Sequence, residues 1–321
     1  TKYPIKYVIV ADPMFETQLQ PFVEWKTRKG FTVIEAYTDD PSVGNTTTSI
    51  KAYIEGLYNA GTPSDPAPSF VLFVGDVDQV PAWSGNAGYH VTDLYYCEFT
   101  GDEFPEIYYG RFSAQNTSQL QPQIDKTLQY EKYEMPDPSY LDEVLMVAGM
   151  DSGFGNDWAN GQINYGTENY FNVAHGLTSH TYLYPQSGSQ SAAIRQHVSD
   201  GVSFGNYTAH CSASGWADPS FTVNHIPDLQ NVDEYCLLIG NCCSSNAFNS
   251  NACFGEAILR AEDKGALGYI GGSNSTYWDE DYYFGVGVGP ITEDPPSYEE
   301  TTLGVYDRTF HDHGEPWEDW Y

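Results

Sequence analysis

Positive charge is scarce in this chain: Lys+Arg 13 stand against Asp+Glu 44, a net charge of −31 at pH 7. That imbalance argues against nucleic-acid backbones and anionic membranes as partners and favours cationic substrates. No apolar run approaches the ~20 residues that cross a bilayer, and no basic-then-apolar leader opens the chain. A soluble protein is expected, and Thr1 in place of an initiating Met suggests a mature form cut from a precursor. Cysteine is sparse, at positions 97, 211, 236, 242, 243 and 253, with no C-x-x-C pair and no His at finger spacing. A structural zinc site is not expected. Disulfide frameworks belong to short secreted domains, and four of these six lie in or beside apolar strand-like runs, so core residues with one candidate nucleophile are expected instead. Internal repeats and low-complexity tracts are also lacking.

What is present is length and aromaticity. The 321 residues can bury a sizeable core, and 26 Tyr with abundant Asn, Ser, Thr and Gly match the surface of a secreted bacterial protein. Short β-branched runs alternate with amphipathic stretches. Strands are predicted at 7–11, 31–34, 70–74, 144–148, 203–209, 236–240 and 266–270. Helices are predicted at 15–29, 47–58, 118–131, 191–198 and 254–261. Near-continuous apolar strands separated by helices imply an α/β fold of mostly parallel sheet flanked by helices on both faces. The Pro-containing segment Glu134–Ser139 is the best boundary, giving subdomains 1–138 and 139–321. The stretch 289–300 reads as an exposed loop, and the tail from Asp307 stays unassigned.

In open parallel sheets ligands bind at the carboxyl ends of the strands. Three strand-like runs end in reactive groups: 144–150 at Asp151, 203–209 at His210, and 236–241 at Cys242-Cys243. On neighbouring strands ~4.8 Å apart, a thiol and an imidazole come within reach as nucleophile and base, with a carboxylate to orient the ring. Taken singly, each is more often a satisfied core or turn residue; their common position brings the two readings level. Gly201-Val-Ser-Phe-Gly205 matches G-x-S-x-G, but Ser203 begins a strand rather than occupying a strand-to-helix elbow. Asp76 also ends a strand, without a partner for a second role.

The stretches Asn206-Tyr-Thr-Ala-His210, Trp216-Ala-Asp-Pro219, Leu238-Ile-Gly-Asn-Cys-Cys243, Cys253-Phe-Gly-Glu256 and Tyr277-Trp-Asp-Glu-Asp-Tyr-Tyr283 resemble the gingipain family of cysteine endopeptidases, its lysine-specific branch above all. The resemblance implies a caspase-like fold of two subdomains and a thiol acyl-enzyme. It assigns Cys243 as nucleophile, His210 as base and acid, and Asp151 as the orienting group. The interval 243 − 210 = 33 matches the family and selects Cys243 over Cys242. The N–H groups of Cys211 and Cys243 would form the oxyanion hole. Asp281, Thr208, Trp278 and Asn241 would receive a Lys side chain; by composition alone, Asp279, Glu280 and Asp281 read as a solvated acidic turn. Structural calcium is implied at Thr100, Asp102, Phe104 and Glu106, with a second site at Phe248 and Glu256.

This chain departs from the family at Cys211, where Gly is usual, and at Ala213, where Glu is usual. Gly there would permit φ > 0, so a catalytically silent adhesin or binding protein on the same fold is the rival expectation. The chain also ends sooner than the family's catalytic region, so a C-terminally incomplete subdomain is expected. The partners implied are secreted or cell-surface encounters with protein or peptide substrates carrying Lys at the cleavage position.

Overall fold

The computed structural model describes residues 4–88, 90–249, 252–301 and 304–311. It divides into two compact units. Unit 1 is Thr1–Glu134 with Ala247–Asn251, and unit 2 is Met135–Asn246 with Ala252–Tyr321. The division falls between Glu134 and Met135, within the Pro-containing segment. The return of 247–251 to unit 1 has no counterpart in the sequence expectation. Phe248 is buried there, its ring centroid 5.1 Å from the Arg111 guanidinium carbon, a cation–π contact within unit 1.

Unit 1 holds β1 (Lys6–Ala11), β2 (Thr32–Tyr37), β3 (Pro68–Val74) and β4 (Tyr108–Phe112), all parallel, in the order β2-β1-β3-β4. Val8 and Val10 pack with Ile50 and Ile54 of helix α2 (Thr47–Asn59) on one face. Ile9 and Ala11 pack on the other with Leu19 and Phe22 of α1 (Glu16–Arg28) and Leu120 and Ile124 of α3 (Thr117–Lys132). Burial on both faces is why β1 reads as a continuous apolar run; each such side chain contributes about 1.5–3 kcal/mol.

Unit 2 repeats the scheme with β5 (Glu143–Ala148), β6 (Thr178–Tyr182), β7 (Phe204–Thr208), β8 (Cys236–Asn241) and β9 (Ala266–Gly271), parallel in the order β9-β8-β7-β5-β6. Leu145, Val147 and Leu238 meet α5 (Ser191–Asp200) and α6 (Phe254–Arg260), while Val144, Met146 and Ile239 meet α4 (Gly161–Asn169) and α7 (Trp278–Val286). The register sets the site: Thr208 on central β7 pairs with Ala148 on one side and Asn241 on the other. Ser203 lies just before β7, its hydroxyl donating to the Glu143 carbonyl at 3.1 Å, as a strand start does.

The edge strands β4 and β6 were not expected. Tyr108-Tyr-Gly-Arg-Phe112 and Thr178-Ser-His-Thr-Tyr182 lack the apolar run of a doubly covered strand; their charged residues are paired instead, Arg111 with Asp93 and His180 with Glu143. Short helices at Tyr298–Thr301 and Val305–Phe310 follow the 289–297 loop; the tail beyond residue 311 lies outside the described residues. Among the described residues no helix is long and apolar enough to cross a membrane.

Candidate active site

Three adjacent strand tips carry the predicted groups: Asp151 follows β5, His210 follows β7, and Cys243 follows β8. His210 Nε2 lies 2.7 Å from Asp151 Oδ2. An ionised carboxylate can only accept, so the Nε2 proton donates to it and Nδ1 is left as the basic nitrogen. Asp151 Oδ1 accepts from the N–H groups of Gly153 at 2.7 Å and Phe154 at 3.0 Å. Partial burial opposes its charge, but the bonds from His210, Gly153 and Phe154 prevail and hold its carboxyl below the usual carboxylate range. The imidazole is half-exposed, with the Trp278 ring edge-on at 5.5 Å.

The cysteines depart from expectation. Cys211 and Cys242 form a disulfide, Cα atoms 5.3 Å apart, so two residues read as free thiols are cross-linked. This staple joins the residue after His210 to the residue before Cys243. Its signal was a vacancy for Gly filled by Cys on one tip and a paired Cys-Cys on the next. Cys211 sits in a short extended strand, Cys211–Ser212, and is absent from the residues with φ > 0, so the glycine's freedom is not required. The Ala217 N–H donates to the His210 carbonyl, making Cys211 and Trp216 a non-hydrogen-bonded pair whose Cys211 N–H points off the hairpin. Replacing both staple residues by Ser is expected to cost roughly 4 kcal/mol by loop entropy for a sequence separation of 31. A urea midpoint equal to the parent's would show that the bridge adds no stability.

Cys243 is the one free cysteine, among the described residues, that is not buried. Its thiol donates to the Thr276 carbonyl at 3.6 Å and accepts the Thr276 N–H at 3.4 Å. Ser244, which follows, adopts φ 57 and donates its N–H to the Asn274 carbonyl, turning the chain sharply at the strand tip.

Asp281 does not behave as part of a solvated turn. Asp279 and Glu280 are exposed, whereas Asp281, one turn into α7, is 6 % exposed. Its Oδ2 accepts from the Thr276 hydroxyl at 2.8 Å, and its carbonyl accepts from Asn241 Nδ2 at 2.6 Å and Gln162 Nε2 at 2.7 Å. Burial pushes its carboxyl up to about 6, opposed by the Thr276 hydrogen bond and aided by neighbouring Glu280. Asn241 thus anchors the helix start, Thr208 is buried in the rung beside it, and Trp278 stacks on Phe154 at 5.4 Å and 9°. Gln162 and Thr276 were not anticipated; neither belongs to a strand-tip pattern.

The carboxylates expected to hold calcium accept hydrogen bonds within their own segments, with Thr100, Asp102 and Phe104 in an exposed loop. Glu106 accepts the Phe99 N–H at 2.6 Å and the Thr100 hydroxyl at 2.9 Å, and Asp102 accepts the Phe104 N–H at 2.9 Å. Glu256 accepts the Cys253 N–H at 3.0 Å and pairs with Arg260 at 2.6 Å; Phe248 packs on Arg111. Among the described residues no group of three or more His, Cys, Asp or Glu could hold a metal ion. Asp76, noted at the end of β3, caps a loop: it accepts from Val77 N–H and Gln115 Nε2.

Residues 1–317 match the description "Peptidase family C25". The chain is 44 % identical over 310 residues to Lys-gingipain W83 of Porphyromonas gingivalis, covering 96 % of this chain and 18 % of that protein. It is 26 % identical over 265 residues to gingipain R2 of Porphyromonas gingivalis, 81 % of this chain and 35 % of that one. A solved structure described as "Structure of Protease" superposes with TM-score 0.90 at 42 % identity, over 96 % of this chain and 68 % of that chain. The arginine-specific cysteine proteinase gingipain R superposes with TM-score 0.74 at 24 % identity, over 88 % and 65 %, a likeness of fold. The chain therefore spans about a fifth of the length of the Lys-gingipain it matches.

Proposed function

Because the chain belongs to peptidase family C25, a family of cysteine peptidases, we propose that it is an endopeptidase cleaving after Lys through a Cys243 acyl-enzyme. The observation that carries the reading is the delivery of an Asp151–His210 pair and a partly exposed free thiol to adjacent strand tips, beside a buried carboxylate. His210 Nδ1 takes the thiol proton as sulfur attacks the scissile carbonyl, then returns it to the leaving amine. Asp151 holds the ring and stabilises the imidazolium. The N–H groups of Cys211 and Cys243 serve the oxyanion, and the staple between their neighbourhoods limits its drift. Asp281 meets the Lys ammonium with charge-assisted hydrogen bonding while Trp278 covers the aliphatic stem. The net charge of −31 draws basic polypeptides to the site.

The staple supports an oxidising, extracytoplasmic working place, in line with a secreted or cell-surface enzyme. The rival reading as a silent binding protein rests on Cys211 and Ala213; the extended backbone and disulfide of Cys211 weigh against the first of these.

Matched peptides with Lys, Arg or norleucine at the cleavage position test the assignment. Lys is expected to be preferred near neutral pH. The Lys-to-norleucine ratio of kcat/KM is expected to fall as pH drops through about 6, where Asp281 takes up its proton. Equal turnover of Lys and norleucine at every pH would refute the lysine assignment; absence of all cleavage would refute the peptidase.

A further inference from the structure

Thr276, in the loop between β9 and α7, touches both halves of the site. Its peptide group brackets the nucleophile, with N–H to Cys243 Sγ at 3.4 Å and the thiol to its carbonyl at 3.6 Å. Its hydroxyl donates to Asp281 Oδ2 at 2.8 Å and lies 3.9 Å from the same sulfur. The other bonds to Asp281, from Asn241 and Gln162 side chains, reach its backbone carbonyl and locate the helix turn. Aim of the carboxylate is therefore left to Thr276.

We propose that Thr276 is a positioning residue that couples the lysine slot to the nucleophile, its hydroxyl aiming Asp281 while its peptide group holds Cys243. The inference rests on the reading of Cys243 as nucleophile and Asp281 as lysine acceptor. A hydroxyl bonded to one carboxylate oxygen fixes the plane of the group, turning Oδ1 to an incoming ammonium, and favours the charged form in a setting that disfavours it. The groups around Asp281 are few in kind: Glu280 on its own helix, Asp279 engaged by Trp158 Nε1 from the 155–160 helical segment, neutral Gln162 from α4 and neutral Asn241 from β8; the Cys243 sulfur lies 3.9 Å from the Thr276 hydroxyl. Against this mostly neutral or like-charged surround, the Thr276 hydroxyl is the favourable partner of the carboxylate. Ammonium docking and sulfur placement then share one residue, so seating the correct side chain and steadying the nucleophile occur together.

The test compares Thr276→Val, which keeps the shape and the peptide contacts with Cys243, with Thr276→Ser, which restores the hydroxyl. Thr276→Val is expected to lower the Lys-to-norleucine ratio of kcat/KM about 10-fold near neutral pH, the worth of one hydrogen bond to a charged group. The acid limb of the Lys profile is expected to move to higher pH, and Thr276→Ser to return both toward the parent. Thr276→Ala carries the same comparison where the valine variant is recovered poorly folded. An unshifted limb with the parent's ratio overturns the proposal, as does equal loss on both substrates, the mark of a merely structural role. If the parent itself shows no Lys preference, or Asp281→Asn leaves that preference intact, it is the underlying reading that has failed, and the proposal with it.

Discussion

Cys243→Ala is expected to lower kcat/KM for Lys peptides by at least about 10³-fold, because the acyl-enzyme route is lost with its nucleophile. The structure separates this thiol from the others. Cys97 and Cys253 are buried, and burial pushes each thiol up to about 12, out of reach of a base at neutral pH. Cys236 is fully buried, and Cys242 is held in the disulfide. A lysyl chloromethylketone is therefore expected to label the parent once, on the peptide containing Cys243, and to leave the variant unlabelled. The control cannot be Cys242→Ala alone, which cuts the staple and frees Cys211. The double variant Cys211→Ala/Cys242→Ala is the fair comparison, slower and less stable than the parent yet still labelled at Cys243. A labelled or fully active Cys243→Ala protein would place the nucleophile elsewhere.

Asp281→Asn is expected to reduce the preference for Lys over norleucine by roughly 10²-fold or more, since an amide of the same shape meets the ammonium without charge. The same substitution is expected to stabilise the protein. Burial raises the Asp281 carboxyl from its ordinary 3.8 to about 6 in the folded chain. The fold thus holds the proton more tightly than the unfolded chain does, and stability is lost as pH rises between those two values. At neutral pH the charged form costs on the order of 3 kcal/mol, and Asn removes that cost. The gain in Tm should be present near pH 7 and vanish below about pH 4, where Asp281 is protonated in both states. Unchanged specificity together with unchanged Tm would mean that Asp281 is neither the lysine acceptor nor a strained buried charge. The pairing of a lost preference with a raised Tm is the signature of a group kept for binding at the expense of stability.

The central strands were legible because a doubly covered strand must be apolar along its length, as in Val144–Ala148 and Cys236–Gly240. The strands Tyr108–Phe112 and Thr178–Tyr182 escaped because they lack such a run; Arg111 is accommodated by its buried ion pair with Asp93 and His180 by its contact with Glu143. Helix α7 opens with three acidic residues, a pattern that suits a helix N-terminus and a solvated turn alike. Only its packing against α4, with Gln162 bonded to the Asp281 carbonyl, separates the two.

The sequence alone determined the alternation of strands and helices, the reactive groups ending three strands, and the strongly acidic balance, since each follows from local periodicity or from a sum of charges. Tertiary structure alone decided which free thiol is left unburied, which acid is buried, and that Thr276 stands between them. Each of those depends on side chains brought together from strands and loops far apart in the chain, where burial and hydrogen bonding, unlike periodicity, are properties of the assembled neighbourhood.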